Sequence, residues 1–138
     1  SGILMATQVA AGEENNLNIR VYGEKGGLEW KQMDPNTMII KWLDKPMEVV
    51  RAGQKYLSDE AKFFTRTPAG HPEGYLEAFA NIYKGFAGAV RAFKPGKKVN
   101  YAKFDFPDVE DGVRGMNFVQ TVVKSANSTK KWIPLKDV

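Results

Sequence analysis

Cysteine is absent from the 138 residues. Its absence removes disulfides, thiolate chemistry and cysteine-ligated metals together, and it agrees with a reducing compartment, so a cytoplasmic location is expected. Histidine occurs once, at His71. No His–His metal pair can form, and no metal site is expected. No apolar run approaches the roughly 20 residues that span a bilayer. The residues after Ser1 lack the charged and apolar regions of a signal peptide, and Ser1-Gly2 reads as a remnant of cloning. A Walker sequence is missing. A strong excess of one charge is missing too: 20 basic and 16 acidic residues leave +4. The basic residues are scattered, apart from Lys94, Lys97 and Lys98 with Lys103, and Lys130-Lys131. Nucleic-acid binding needs a basic stripe over one face, so neither nucleic acid nor membrane is expected as a partner.

What remains is an ordinary globular composition, 43% hydrophobic and 26% charged, with enough chain for one domain and a real core. The first third is strand-like. Leu17, Ile19 and Val21 alternate with Asn18, Arg20 and Tyr22, and Leu28 and Trp30 alternate with Glu29 and Lys31. This is the period of a half-buried strand. Between the two runs, Gly23-Glu24-Lys25-Gly26-Gly27 predicts a hairpin turn in which glycine allows positive φ. Further strands are expected at Ile3–Ala10, at Thr37–Leu43 after Asp34-Pro35-Asn36, at Met47–Arg51, and as a closing strand over 130–135. Short turns favour antiparallel pairing.

The later part reads as helical. Pro72 suits a first turn, and Tyr75, Phe79, Ile82, Tyr83, Phe86, Val90 and Phe93 recur every three or four residues until Pro95-Gly96. That stripe predicts packing against the sheet rather than a binding ladder. Gly85 and Gly88 weaken this helix by about 1 kcal/mol each relative to Ala, so close approach of a neighbour is expected there. A second helix is expected from Asp108, which can cap the free first-turn N–H groups, with Glu110 and Asp111 favouring the dipole. Ser58-Asp59-Glu60-Ala61 predicts a short helix in the otherwise irregular stretch 53–70.

One group stands out chemically. Arg66-Thr67-Pro68-Ala69-Gly70-His71-Pro72-Glu73-Gly74-Tyr75 is a loop running into a helix N-terminus, a place suited to an anion or a hydroxyl-rich ligand. His71 and Glu73 form a candidate proton-transfer pair. The plainer reading makes His71 a capping or packing residue and Glu73 a complement to the dipole. The neighbouring pairs Glu13-Glu14, Asp59-Glu60 and Glu110-Asp111 cannot face each other across a reacting atom. The glycine-bearing turn at 23–27 fails the dinucleotide pattern, because a strand follows it where a helix is required.

The run Ile19-Arg20-Val21-Tyr22-Gly23-Glu24-Lys25-Gly26-Gly27-Leu28, the long helix, and Phe106-Pro107-Asp108-Val109-Glu110-Asp111-Gly112-Val113-Arg114-Gly115-Met116 up to Ser125-Ala126 together resemble the C-terminal part of the Gfo/Idh/MocA oxidoreductases. The resemblance covers nearly everything from Ile3 to Leu135, and Thr65–Tyr83 looks like a branch acting on sugars and polyols. It implies an α+β fold, residues 3–138, with an open, mainly antiparallel sheet and two long helices packed on one face. It also implies a role as the substrate-binding and dimerising half of an NAD(P)-dependent enzyme, a homo-oligomer through an exposed sheet face carrying Tyr22, Trp30 and Trp42.

The nucleotide-binding half and its catalytic lysine are expected to be absent, so the chain alone should hold no cofactor and be silent, while NAD or NADP serves the parent. Leu43-Asp44-Lys45-Pro46 imitates the family's Glu-Lys-Pro sequence but lies between strands, so that role does not pass to Lys45. The family's usual histidine is expected upstream of Ile3, so His71 does not inherit it. The resemblance leaves Arg66, His71 and Glu73 as candidate contacts to a sugar-like substrate. A stand-alone ligand-binding or protein-interaction module is the other reading. An independent hydrolase lacks a nucleophile.

Overall fold

The computed structural model describes residues 1–130 and 132–135. They divide into two units, residues 1–78 and Phe79 onward. Alternation in the first unit produces four strands, β1 (Asn18–Tyr22), β2 (Gly26–Lys31), β3 (Thr37–Trp42) and β4 (Glu48–Arg51), followed by a short helix α1 (Asp59–Phe63). The sheet runs in the order β1-β2-β3-β4 and every pair is antiparallel. This is the open antiparallel sheet of an α+β fold.

The register sorts the side chains into two faces, because directly opposed residues project to the same side. Ile19 faces Trp30, which faces Met38, which faces Val50; Leu28 faces Ile40. This face is apolar. Arg20 faces Glu29, which faces Ile39, which faces Val49; Tyr22 and Lys41 flank Gly27 on the same side. This second face is mixed and mostly charged. Tyr22 therefore lies opposite Trp30 and Trp42 rather than beside them, which corrects the single aromatic face expected above. A one-residue step along a strand crosses the sheet.

The hairpin turn closes with the Gly23 N–H donating to the Gly26 carbonyl at 2.8 Å. Neither Gly23, Gly26 nor Gly27 takes positive φ, which corrects the expected reason for these glycines. The need is space: a Cβ on Gly26 would sit 2.5 Å from the Lys41 carbonyl oxygen, and one on Gly27 would sit 2.9 Å from that of Val21. At the β3–β4 turn, Trp42 Nε1 donates to Glu48 Oε1 at 2.7 Å and the Lys45 ammonium lies 3.9 Å from the Trp42 ring centroid. Lys45 thus serves the turn.

The expected strand at Ile3–Ala10 is not formed, since no ladder pairs it. Alternation supplies a suitable side-chain pattern, but a strand exists only through its partner's hydrogen bonds. The closing strand is likewise absent among the described residues of 130–135, of which Lys131 falls outside the description. Ser58 caps α1 as expected, its hydroxyl accepting from the Ala61 N–H at 3.3 Å.

Helix α2 (Tyr75–Ala92) starts three residues after Pro72 and stops before Pro95. In the second unit its buried positions are Gly85 and Ala89. Here the predicted close approach is observed: a Cβ on Gly85 would lie 2.7 Å from the Asp105 carbonyl oxygen, and one on Gly88 would lie 2.9 Å from the Phe104 ring. Phe106 meets Phe86 edge to face at 5.7 Å, an arrangement aromatic quadrupoles favour. A single 3₁₀ turn (Tyr101–Lys103) precedes this crossing. Helix α3 (Val109–Ala126) opens on a reciprocal cap: Asp108 accepts from the Glu110 and Asp111 N–H groups, and Asp111 accepts from the Asp108 N–H. Among the described residues Ala89, 3% exposed, is the one buried hydrophobic residue, and no helix is long and apolar enough to cross a membrane.

Candidate functional site

The loop 66–74 connects α1 to α2, and one carboxylate organises it. Glu73 Oε1 accepts from the backbone N–H of Arg66 at 2.5 Å and of Thr67 at 2.5 Å. The Thr67 hydroxyl lies 3.0 Å from that oxygen and 2.7 Å from the His71 carbonyl; its single proton serves one of them at a time. A turn folds inside this ring, where the His71 N–H donates to the Pro68 carbonyl at 3.1 Å and Gly70 takes φ 87°. Positive φ carries no penalty for glycine.

The ring is tied to the sheet by Asn36 in the β2–β3 turn. Its amide Nδ2 donates to the Glu73 carbonyl at 2.7 Å, and its Oδ1 accepts from the Glu73 N–H at 2.9 Å. The side-chain amide thus imitates one rung of a ladder. A second tie is steric. Gly53, at φ 75° just past β4, lies so near Ala69 that a Cβ would be 3.1 Å from its nitrogen. Glu77 then reaches back from the first turn of α2 to accept from the Gly74 N–H at 2.8 Å, while the Arg66 guanidinium donates to the Glu77 carbonyl at 3.1 Å.

The electrostatics follow from these bonds. Burial pushes the Glu73 carboxyl up, but the N–H groups of Thr67 and Arg66, the Thr67 hydroxyl and the Arg66 charge together hold it below the usual carboxylate range. The Gly74 N–H, with Glu77's own backbone N–H, holds Glu77 below that range against burial and the charge of Glu73. Both stay ionised at neutral pH.

The three predicted residues are brought into one loop but given different positions. Glu73 turns inward and shapes the loop. Arg66 and His71 remain exposed at its surface. Among the described residues no hydrogen bond joins the His71 ring to the Glu73 carboxylate, and the helix N–H at Gly74 is already engaged by Glu77. Asn36, Thr67 and Glu77 were not anticipated. Thr67 and Glu77 carry a local signal, a hydroxyl and a carboxylate at loop and first-turn positions. Asn36 carries none, since it acts 37 residues away.

A second electrostatic cluster sits on the mixed face of the sheet. Glu29, only 7% exposed, accepts from Lys41 and lies 3.3 Å from the Lys31 ammonium and 3.7 Å from Arg20. The bond from Lys41, ahead of the opposing burial, and then Lys31 and the charges of Lys41 and Arg20, hold this carboxyl below its usual range. The described residues contain no group of three or more histidine, cysteine or carboxylate side chains placed to hold a metal. They also do not fit a dinucleotide. The one glycine-rich turn joins two strands, and its glycines are already covered by the carbonyls of Lys41 and Val21; a pyrophosphate needs an uncovered backbone at a helix start.

Residues 2–135 match the model of an oxidoreductase family, its C-terminal alpha/beta domain, Gfo/Idh/MocA. The chain is 30% identical over 135 residues to the uncharacterized oxidoreductase YfiI of Bacillus subtilis, covering 98% of this chain and 34% of that protein. Among solved structures it is similar to an oxidoreductase from Sinorhizobium meliloti, with 42% identity, a TM-score of 0.81, and coverage of 93% of this chain and 35% of that one. It is also similar to an inositol dehydrogenase homologue from Azotobacter vinelandii, in complex with NADH and myo-inositol, with 36% identity, a TM-score of 0.82, and coverage of 91% and 33%. The chain spans about a third of the length of these relatives.

Proposed function

The chain belongs to the Gfo/Idh/MocA oxidoreductase family as its C-terminal alpha/beta domain, and from that premise we propose that it is the substrate-binding and subunit-pairing part of an NAD(P)-dependent oxidoreductase acting on a sugar or polyol. The observation that carries this reading is the loop at the start of α2. Its backbone is held by Glu73, Thr67 and Asn36, leaving Arg66 and His71 exposed on a preorganised support. A guanidinium can donate to vicinal hydroxyls, an imidazole can donate to one and accept from another, and a rigid support lowers the ordering cost of binding. Glu73 contributes to substrate binding through this support. The inositol dehydrogenase homologue, whose structure holds NADH and myo-inositol, matches 91% of this chain.

Hydride transfer belongs to the nicotinamide, and this part of the enzyme supplies binding and orientation. The proposed pairing surface is a sheet face, a use that agrees with the half-exposed apolar side chains there. Light scattering across concentrations tests pairing; a monomer throughout would count against it.

The test of the site is a chimera in which this chain replaces the matching third of the Azotobacter vinelandii inositol dehydrogenase homologue, assayed with NAD⁺ and myo-inositol. Arg66→Ala and His71→Ala should each raise KM by on the order of tenfold or more, the loss of one or two hydrogen bonds to substrate. An active chimera whose polyol kinetics ignore both changes would remove the assignment.

A further inference from the structure

The positive charge of this chain is concentrated in one short stretch. Between Glu77 and Asp105 there are six basic residues and no acidic one, whereas the rest of the chain holds 14 basic and 16 acidic residues. Residues 84–103 thus supply more than the whole excess of +4. Four of the six, Lys94, Lys97, Lys98 and Lys103, line a single cavity of about 260 Å³ that lies wholly within the second unit.

The backbone explains how they come together. Just past α2, the Phe93 N–H donates to the Ala89 carbonyl at 3.1 Å. A tight turn follows, closed by the Lys97 N–H donating to the Lys94 carbonyl at 3.0 Å, with Gly96 at φ 74°. The chain then reaches the 3₁₀ turn at Tyr101–Lys103, where the Phe104 N–H donates to the Tyr101 carbonyl at 2.9 Å. Phe104 lines the cavity and packs its ring against α2 at Gly88. Both ends of the lysine loop are therefore anchored on one helix.

Helix electrostatics account for only part of this cluster. The negative end of the α2 dipole favours Arg91 in the last turn, but the effect fades within that turn. Lys97, Lys98 and Lys103 lie beyond it. The lysines are not balanced locally either, since the ion pairs of the described residues all lie elsewhere. A concave surface lined by one sign of charge focuses the field and concentrates counter-ions. Each ammonium offers a point charge and three donors to a phosphate.

We infer that this cavity is a binding site for a diphosphate group, free or carried by a small soluble molecule. Two linked phosphates carry about three to four negative charges at neutral pH, which matches four ammonium groups. A single phosphate would leave about half of them unneutralised. The loop at 66–74 is a different site, for it offers one guanidinium and one imidazole, and none of its residues lines this cavity.

Titration calorimetry of the 138-residue chain with sodium pyrophosphate tests the site. Lys97→Ala/Lys98→Ala should weaken binding on the order of tenfold or more, whereas Lys25→Ala/Lys55→Ala, which removes the same charge elsewhere, should change it less than about twofold. Lys94→Gln/Lys103→Gln should repeat the loss. All these lysines are exposed, so every variant should keep the parent urea midpoint and the loss of affinity reports on the site. Amide shifts on titration should be confined to residues 92–104. ADP displacing pyrophosphate would support the site with a nucleoside diphosphate as the source; pyrophosphate held against ADP would support it with the free anion. Sulfate at equal ionic strength should bind on the order of tenfold more weakly. Equal losses from the cavity and control variants, equal affinity for sulfate and pyrophosphate, or no binding at millimolar pyrophosphate would overturn the inference.

Discussion

Ile39 and Ile40 are neighbours in β3 and look out on opposite chemistries. Ile40 lies between Leu28 and Glu48, on the face that carries Trp30, Met38 and Trp42, whereas Ile39 lies between Glu29 and Val49, among the cations Arg20, Lys31 and Lys41. Both are half-buried. The difference teaches that burial alone does not rank positions in this sheet. A methyl removed beside aromatic and aliphatic groups leaves lost contacts, while one removed beside charged side chains leaves space that water can use.

The strongest way to break the comparison is to make the same change on both faces. Ile40→Ala should cost about 2 kcal/mol, the low end for core truncation because the site is half-buried. Ile39→Ala should cost roughly half of that or less. Urea denaturation of the two variants is the measurement, and equal losses would erase the distinction between the faces.

Next in size is the link between sheet and loop. Asn36→Ala removes both bonds to Glu73 and should cost about 1–2 kcal/mol. The effect should be local, read as faster amide exchange over residues 66–74 with the β2–β3 amides unchanged. If the loop amides keep their protection, Asn36 is not the anchor.

The charged face should declare itself in acid. The folded-state carboxyls of Glu29 and Glu73 lie below their ordinary values, so the stability they contribute is present above the unfolded carboxylate range and is lost as pH falls through the folded values. Glu29→Gln should therefore flatten the fall in stability below about pH 4.3. It should also lower stability at pH 7, where the three cations lose their shared carboxylate. A variant with an unaltered acid limb would show that the cluster is not coupled to folding.

The smallest expected effect is at the β3–β4 turn. Lys45→Ala removes the cation over the Trp42 ring and the 3.9 Å pair with Glu48. Both are exposed, so the change should be within about 0.5 kcal/mol by urea midpoint. A larger loss would mean that this turn limits the stability of the sheet.

Local rules made the strands and both long helices legible. The 2-residue alternation marked β1 and β2, the 3.6-residue stripe marked α2, and the Asp108 cap announced α3 at its observed start. Gly85 and Gly88 were legible as points of close approach. The segment Ile3–Ala10 was not, since its pattern is that of a strand while its pairing depends on a partner. In the candidate site, Arg66, His71 and Glu73 stand out as candidates because they cluster within eight positions beside a helix start. The inward turn of Glu73 was hidden, because it depends on where Thr67 and the distant Asn36 are held.

Composition and periodicity by themselves determined the absence of cysteine chemistry and, between Asn18 and Ala126, the kinds of element and their order, for these follow from side-chain type and spacing along the chain. Only the tertiary structure decided that Tyr22 opposes Trp30 and Trp42, that Glu29 sits beneath three cations, and that Asn36 holds the loop before α2. Each of these is a contact between residues remote in sequence, and its strength depends on distances that no local rule supplies.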